Sequence, residues 1–146
     1  MKNLLLVDDE TYKSQQILKC IQEKYSSIRV NTIDSLNKSL LEIRKNHYDI
    51  VLLDMSLPLY NKKESANFNS YAGMDFLAEI NRKKISTPTI VITQYEILGE
   101  GSNQRTAESI NQELTKLYSN YLGMIIYSAT DTSWKEKLFE KIEGLL

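Results

Sequence analysis

Four short runs of the chain, Leu4-Leu5-Leu6-Val7, Ile50-Val51-Leu52-Leu53, Ile90-Val91-Ile92 and Met124-Ile125-Ile126, are apolar at every position rather than at every second one. Successive side chains of a strand point to opposite sides, so a strand with one wet face alternates and a strand that is apolar throughout must be covered on both faces. With a fifth run, the pattern predicts strands over Asn3–Asp8, Ile28–Ile33, Asp49–Asp54, Pro88–Thr93 and Gly123–Ser128. The segments between them repeat at helical spacing. Glu10–Lys24 puts Ile17, Ile21 and Tyr25 on one face, and Ser35–Lys45 opens on a capping serine and repeats Leu36, Leu40 and Ile43. Gly73–Lys83 carries Phe76, Leu77 and Ile80, Thr106–Tyr121 carries Ile110, Leu114, Leu117 and Tyr121, and Ser133–Leu145 carries Trp134, Leu138 and Ile142. Strand and amphipathic helix alternate throughout. Right-handed crossovers then place helices on both faces of a parallel sheet, a doubly wound α/β sandwich.

The 146 residues suffice for one domain, 1–146, with one core. A net charge of -1, with no basic stripe on any predicted helix, gives no support to a nucleic-acid surface. Leu4 to Val7 is too short for the hydrophobic region of a signal peptide, and no run reaches transmembrane length, so a cytoplasmic location without a membrane partner is expected. The single cysteine, Cys20, excludes an intrachain disulfide, and one histidine, His47, cannot complete a Cys/His zinc set. Cys20 is expected in the core of the first helix. His47 precedes the third strand and is expected on the surface at the rim away from that strand's acidic tip.

Two connections exceed the roughly 2–6 residues usual between strand and helix: Leu59–Tyr71 and Ile97–Arg105. Both follow the carboxyl ends of predicted strands, the rim where open α/β sheets bind ligands. Tolerated surface insertions and a lid or partner-specific loop are both open readings.

The first and third strands end in acid, Asp8-Asp9 and Asp54. In a sheet of order 2-1-3-4-5 these strands are central neighbours, and three carboxylates meet in the crevice at their tips. Like charges that close cost kcal/mol at an effective dielectric of about 20, so the cluster must protonate, spread apart or hold a cation. Hard oxygen ligands with open positions suit Mg²⁺, which keeps waters and leaves room for a phosphoryl oxygen. Acids at strand ends also cap helices and start turns. Their joint placement after buried strands, with Thr93 ending the fourth, favours the metal reading.

These residues resemble a two-component response-regulator receiver domain over nearly the whole chain. LLLVDDE is similar to the family's acidic first-strand signature, HYDIVLLDMSLP to its phosphoacceptor segment and TPTIVIT to its fourth strand. The resemblance implies a flavodoxin-like (βα)5 fold whose aspartate accepts a phosphoryl group from a phosphohistidine on a sensor histidine kinase or phosphotransfer protein, with Mg²⁺. By position it implies Asp54 as acceptor, Asp9 and Asp54 as Mg²⁺ ligands, the Met55 carbonyl as a further ligand and Asp8 acting through water. It implies Thr93 as the switch hydroxyl and Tyr127 as the switch aromatic. Phosphoryl transfer asks for an in-line nucleophile, a metal and donors aimed at developing charge, which this set can supply.

Three features depart from the pattern. The family's lysine after the fifth strand is replaced by Thr130, or by Ser128 in another register, and neither is cationic. Lys135 and Lys137 substitute only if that loop folds unusually. Gln94 follows Thr93 where a small residue is usual, and the fourth segment is long. Without the lysine, a charge-assisted contact of about 1.5–3 kcal/mol is missing, and retained Mg²⁺ binding with weakened or absent switching is expected.

The leading function is a stand-alone receiver, not an enzyme, whose output is a contact with a downstream protein. That contact usually involves the fourth helix, fifth strand and fifth helix, where Tyr118, Tyr121, Tyr127 and Trp134 fall; most of these aromatics are expected in the core. The alternative is a pseudo-receiver, the same fold acting as a phosphorylation-independent interaction module. An aspartyl-nucleophile phosphatase of the haloacid-dehalogenase type needs an acid two residues after the nucleophile, where Ser56 stands. Flavin binding is disfavoured by the acidic first loop, which lacks the small polar set a phosphate needs.

Overall fold

The computed structural model describes residues 2–60 and 68–145. Five strands form a parallel sheet: β1 (Asn3–Val7), β2 (Arg29–Ile33), β3 (Ile50–Leu53), β6 (Thr89–Thr93) and β9 (Tyr121–Ile126), in the order β2-β1-β3-β6-β9. This is the 2-1-3-4-5 order, in which the two strands that end in acid are central neighbours. The three central strands β1, β3 and β6 are apolar because both of their faces are covered. Leu5, Val7, Val51, Leu53 and Val91 pack on one side with Phe76, Leu77, Ile80, Ile110 and Leu114. Leu4, Leu6, Ile50, Leu52, Ile90 and Ile92 pack on the other with Ile17, Ile21, Trp134, Leu138 and Ile142. Consecutive residues of a strand thus enter different cores, as its pleat requires. Helices α1 (Thr11–Lys24) and α5 (Ser133–Glu143) cover the second face; α2 (Leu36–Lys45), α3 (Ala72–Arg82) and α4 (Ala107–Leu117) cover the first. Cys20 is buried in the α1 core, and His47 is exposed, as expected.

Ser35 caps α2, its hydroxyl accepting the Lys38 N–H at 3.3 Å. Ser35→Ala is expected to cost about 1 kcal/mol, the usual worth of such a cap, read as a lower urea midpoint at unchanged slope. No change in midpoint would mean that the cap carries no stability.

One boundary differs from the periodicity. The predicted Thr106–Tyr121 helix stops at Leu117, and Tyr121 opens β9 instead. Asn120 makes the break: its carbonyl accepts the Thr89 N–H at 2.9 Å and its amide donates to the Thr87 carbonyl at 3.0 Å, tying the segment to the start of β6. Tyr121 still reaches α4, donating its hydroxyl to Asn111 at 2.6 Å, which explains why it fits the helical stripe.

The two long connections each close as a small antiparallel ribbon, β4 (Leu57–Pro58) with β5 (Phe68–Asn69) and β7 (Ile97–Leu98) with β8 (Arg105–Thr106). Residues 61–67 of the first lie outside the described residues. Tyr71 joins the two connections, its hydroxyl donating to the carbonyls of Leu98, at 3.0 Å, and Asn103.

Candidate functional site

The acidic residues at the strand tips are brought together by backbone register. Val7 pairs with Leu53 across β1 and β3, and the Asp54 N–H continues the ladder onto the Val7 carbonyl at 2.8 Å. Asp8 is held likewise, its N–H on the Ile33 carbonyl at 2.9 Å. The Asp8 side chain then accepts the Glu10 N–H at 2.8 Å, which turns the chain into α1. Carboxylate oxygens of Asp8, Asp9 and Asp54 lie within 4.8 Å of one another. Asp8 is buried, Asp9 is half-buried, and the Asp54 side chain keeps 12% of its surface exposed. A polar groove of about 500 Å³, lined by Asp8, Asp9, Thr11, Gln15, Asp34 and Lys38, gives solvent access to Asp9.

The cluster is not held by acids alone. Lys13, in the first turn of α1, is 1% exposed, and its Nζ lies 2.9 Å from Asp8 Oδ2 and 3.4 Å from Asp54 Oδ1. The same nitrogen donates to the Ile92 carbonyl of β6 at 2.8 Å. An ammonium has three donors, and all three are used. Burial disfavours the charged form of Lys13, but Asp54 and Asp8 more than offset it, so its pKa is raised. The cluster thus contains a cation that the sequence analysis did not single out, a lysine delivered by α1 rather than by the loop after the last strand. Thr130 is exposed and hydrogen-bonded to Ser128, while Lys135 Nζ lies over the Trp134 ring, 5.7 Å from its centroid. The signal for Lys13 was in the sequence, since Lys13, Ile17 and Ile21 recur at steps of four and a lysine on a buried stripe needs a partner.

Burial pushes the Asp54 carboxyl up to about 7, with Lys13 opposing and the neighbouring Asp8 and Asp9 charges adding to the rise. Burial, and next the Asp8 charge, also raises Asp9. One ammonium among three carboxylates leaves the cluster net negative. Such a set fits a hard divalent ion, which prefers oxygen ligands and tolerates water in its remaining positions.

Thr93 ends β6 fully buried, its hydroxyl accepting the Tyr95 N–H at 3.3 Å and its carbonyl accepting the Tyr127 N–H at 2.8 Å. Tyr127 is buried against Trp134, ring centroids 5.1 Å apart, and Tyr121 is buried as well, whereas Tyr118 is only half-buried. Gln94 is half-buried, and its amide donates to the exposed Tyr95 hydroxyl at 2.7 Å. The Met55 carbonyl accepts the Gly73 N–H at 2.8 Å, where the start of α3 needs an acceptor for that donor.

Residues 4–119 match the response regulator receiver domain family. The chain is 31% identical over 148 residues to the Detocs response regulatory protein DtcB of Enterobacter cloacae, covering 97% of this chain and 99% of that one. It is 30% identical over 96 residues to the transcriptional regulatory protein BasR of Escherichia coli, covering 65% of this chain and 37% of that one. Among solved structures, the response regulator TrrA of Thermotoga maritima, in complex with Mg²⁺-BeF, superposes with a TM-score of 0.69 at 22% identity and full coverage of both chains. The chemotaxis response regulator CheY4 of Vibrio cholerae does so with a TM-score of 0.67 at 17% identity, covering 100% of this chain and 99% of that one. The carboxylate cluster at the tips of β1 and β3 thus sits in a chain that belongs to the response regulator receiver domains.

Proposed function

We propose that this chain accepts a phosphoryl group on Asp54 from a phosphohistidine of a sensor histidine kinase or phosphotransfer protein, and signals through contact with a downstream protein. The observation that carries this reading is the convergence of Asp8, Asp9 and Asp54 with the buried Lys13 ammonium at neighbouring strand tips. In the transfer, the N–P bond of the phosphohistidine breaks and an O–P bond to a carboxylate oxygen of Asp54 forms. The imidazole leaves and recovers a proton from solvent. Asp9 and Asp54 would hold Mg²⁺, with Asp8 beside them, and the bound ion would neutralise charge on the phosphoryl oxygens. Thr93, at the neighbouring tip of β6, supplies its hydroxyl proton to the phosphoryl group while its oxygen keeps accepting the Tyr95 N–H. The chain is then a phosphoryl carrier rather than a turnover enzyme.

A second reading, a phosphorylation-independent interaction module, is favoured by the Lys13 bridge, which already compensates part of the cluster's charge without a metal or a phosphoryl group. Incubation with acetyl phosphate and Mg²⁺, followed by intact mass measurement, separates the two. The wild type is expected to gain one phosphoryl mass and Asp54→Asn none. A wild type that never gains mass, or an Asp54→Asn protein that does, would sink the phosphoacceptor reading.

A further inference from the structure

We propose that Lys13 is the cation that contacts the phosphoryl group on Asp54, so that the first turn of α1 supplies the charge that Thr130, after the last strand, cannot. The proposal rests on the phosphoacceptor reading above and names the residue that completes it.

Position argues first. Lys13 occupies the buried stripe of α1 one turn before Ile17, where an aliphatic side chain would serve packing, yet its ammonium is 1% exposed and directed over the tips of β1, β3 and β6. Burying an ammonium costs several kcal/mol unless it is fully paired, so a lysine here is a poor choice for packing alone. The three contacts of the ammonium are unequal. Lys13 Nζ is 2.9 Å from Asp8 but 3.4 Å from Asp54, while the Ile92 carbonyl at 2.8 Å holds it from the β6 side. Its loosest contact is the one to the acceptor oxygen, so a phosphoryl oxygen on Asp54 can take over that donor while the other two bonds keep the ammonium in place. Lys38 is paired with Asp34 at 3.1 Å, Lys135 lies over the Trp134 ring, and Lys141 donates to the Leu122 carbonyl at 2.8 Å. Among the described residues, Lys13 is the lysine whose ammonium forms ion pairs with Asp8 and Asp54.

A different role for the same lysine predicts a different response of the phosphoryl probe. If Lys13 were only a tethered counter-ion standing in for a divalent cation, its removal would tighten Mg²⁺ binding and leave phosphoryl binding no weaker. The test uses beryllofluoride as the phosphoryl probe on the Mg²⁺-saturated full chain, read by fluorine NMR and calorimetry, with Mg²⁺ titrated separately by calorimetry. Lys13→Met, close in volume and uncharged, is expected to bind beryllofluoride about 10- to 100-fold more weakly than wild type, the worth of one charge-assisted contact. Its Mg²⁺ affinity should be equal or higher, and Lys13→Arg should recover part of the beryllofluoride affinity. Equal beryllofluoride affinity in a folded Lys13→Met protein overturns the proposal while leaving Asp54 as acceptor. Wild type that binds no beryllofluoride overturns both. Should Lys13→Met not fold, the wild type labelled with ¹⁵N-lysine still decides: the Lys13 Nζ resonance is expected to move when beryllofluoride is added, and an unmoved resonance overturns the proposal.

Discussion

Divalent-ion binding at the Asp8, Asp9 and Asp54 cluster is expected to weaken about 100-fold between pH 8 and pH 5. A carboxylate must lose its proton to hold a metal, and burial raises the Asp54 carboxyl to about 7. Below that value each pH unit adds a tenfold penalty for removing the proton. Asp9, also raised by burial and by the Asp8 charge, makes the loss steeper at the acid end. The same shift has a sign for stability. Between the ordinary aspartate range near 4 and about 7, the folded protein holds a proton that the unfolded chain has released, so the metal-free protein should lose stability as pH rises through that window. Mg²⁺ reverses the trend, because it binds the deprotonated folded form. Calorimetric Mg²⁺ titrations across pH and thermal melts with and without the ion check both statements. Asp54→Asn should remove most of the pH dependence. A Mg²⁺ affinity that stays flat from pH 8 to pH 5 would contradict a raised Asp54 carboxyl.

Phe76→Ala should be the most destabilising single truncation of the core among the α3 residues, at about 3–5 kcal/mol. Phe76 is fully buried in the cluster with Val7, Leu53 and Val91, beneath the strand tips that carry the acids. Removing its ring takes away apolar contact and leaves a cavity that the strands on one side and α3 on the other cannot close. For a chain of this length the loss corresponds to a fall of roughly 10–15 °C in melting temperature. Leu41→Ala on α2 is the internal contrast: Leu41 is 49% exposed, and its truncation should shift the midpoint by less than about 0.5 kcal/mol. Urea unfolding of the two variants measures the difference. Similar costs for both would mean that the Phe76 site collapses without a void.

The small scale of the corrections has a physical source. Strand positions were legible because β1, β3 and β6 are covered on both faces, and a short, continuously apolar run such as Leu4 to Val7 fits a doubly covered strand and little else. The edge strand β2 is half-exposed and less apolar, and β9 begins two residues before the Gly123 start expected from its sequence. There Tyr121 satisfied helical spacing and strand pairing alike, and the backbone bond of Asn120 to Thr89 decided between them.

What the chain determined by itself was the placement of Asp8, Asp9 and Asp54. Each acid follows a strand whose register is dictated by its own apolar residues, so their meeting at one rim follows from local pattern and the order of the sheet. The source of the compensating cation was decided only by the tertiary structure. Lys13 meets Asp8 five residues away, but Asp54 and Ile92 lie 41 and 79 residues along the chain, and only the docking of α1 against the sheet brings all three acceptors within reach of one ammonium. A spacing rule finds residues that share an element; an ion pair across three elements becomes visible when those elements are packed, because burial is what makes the pairing obligatory.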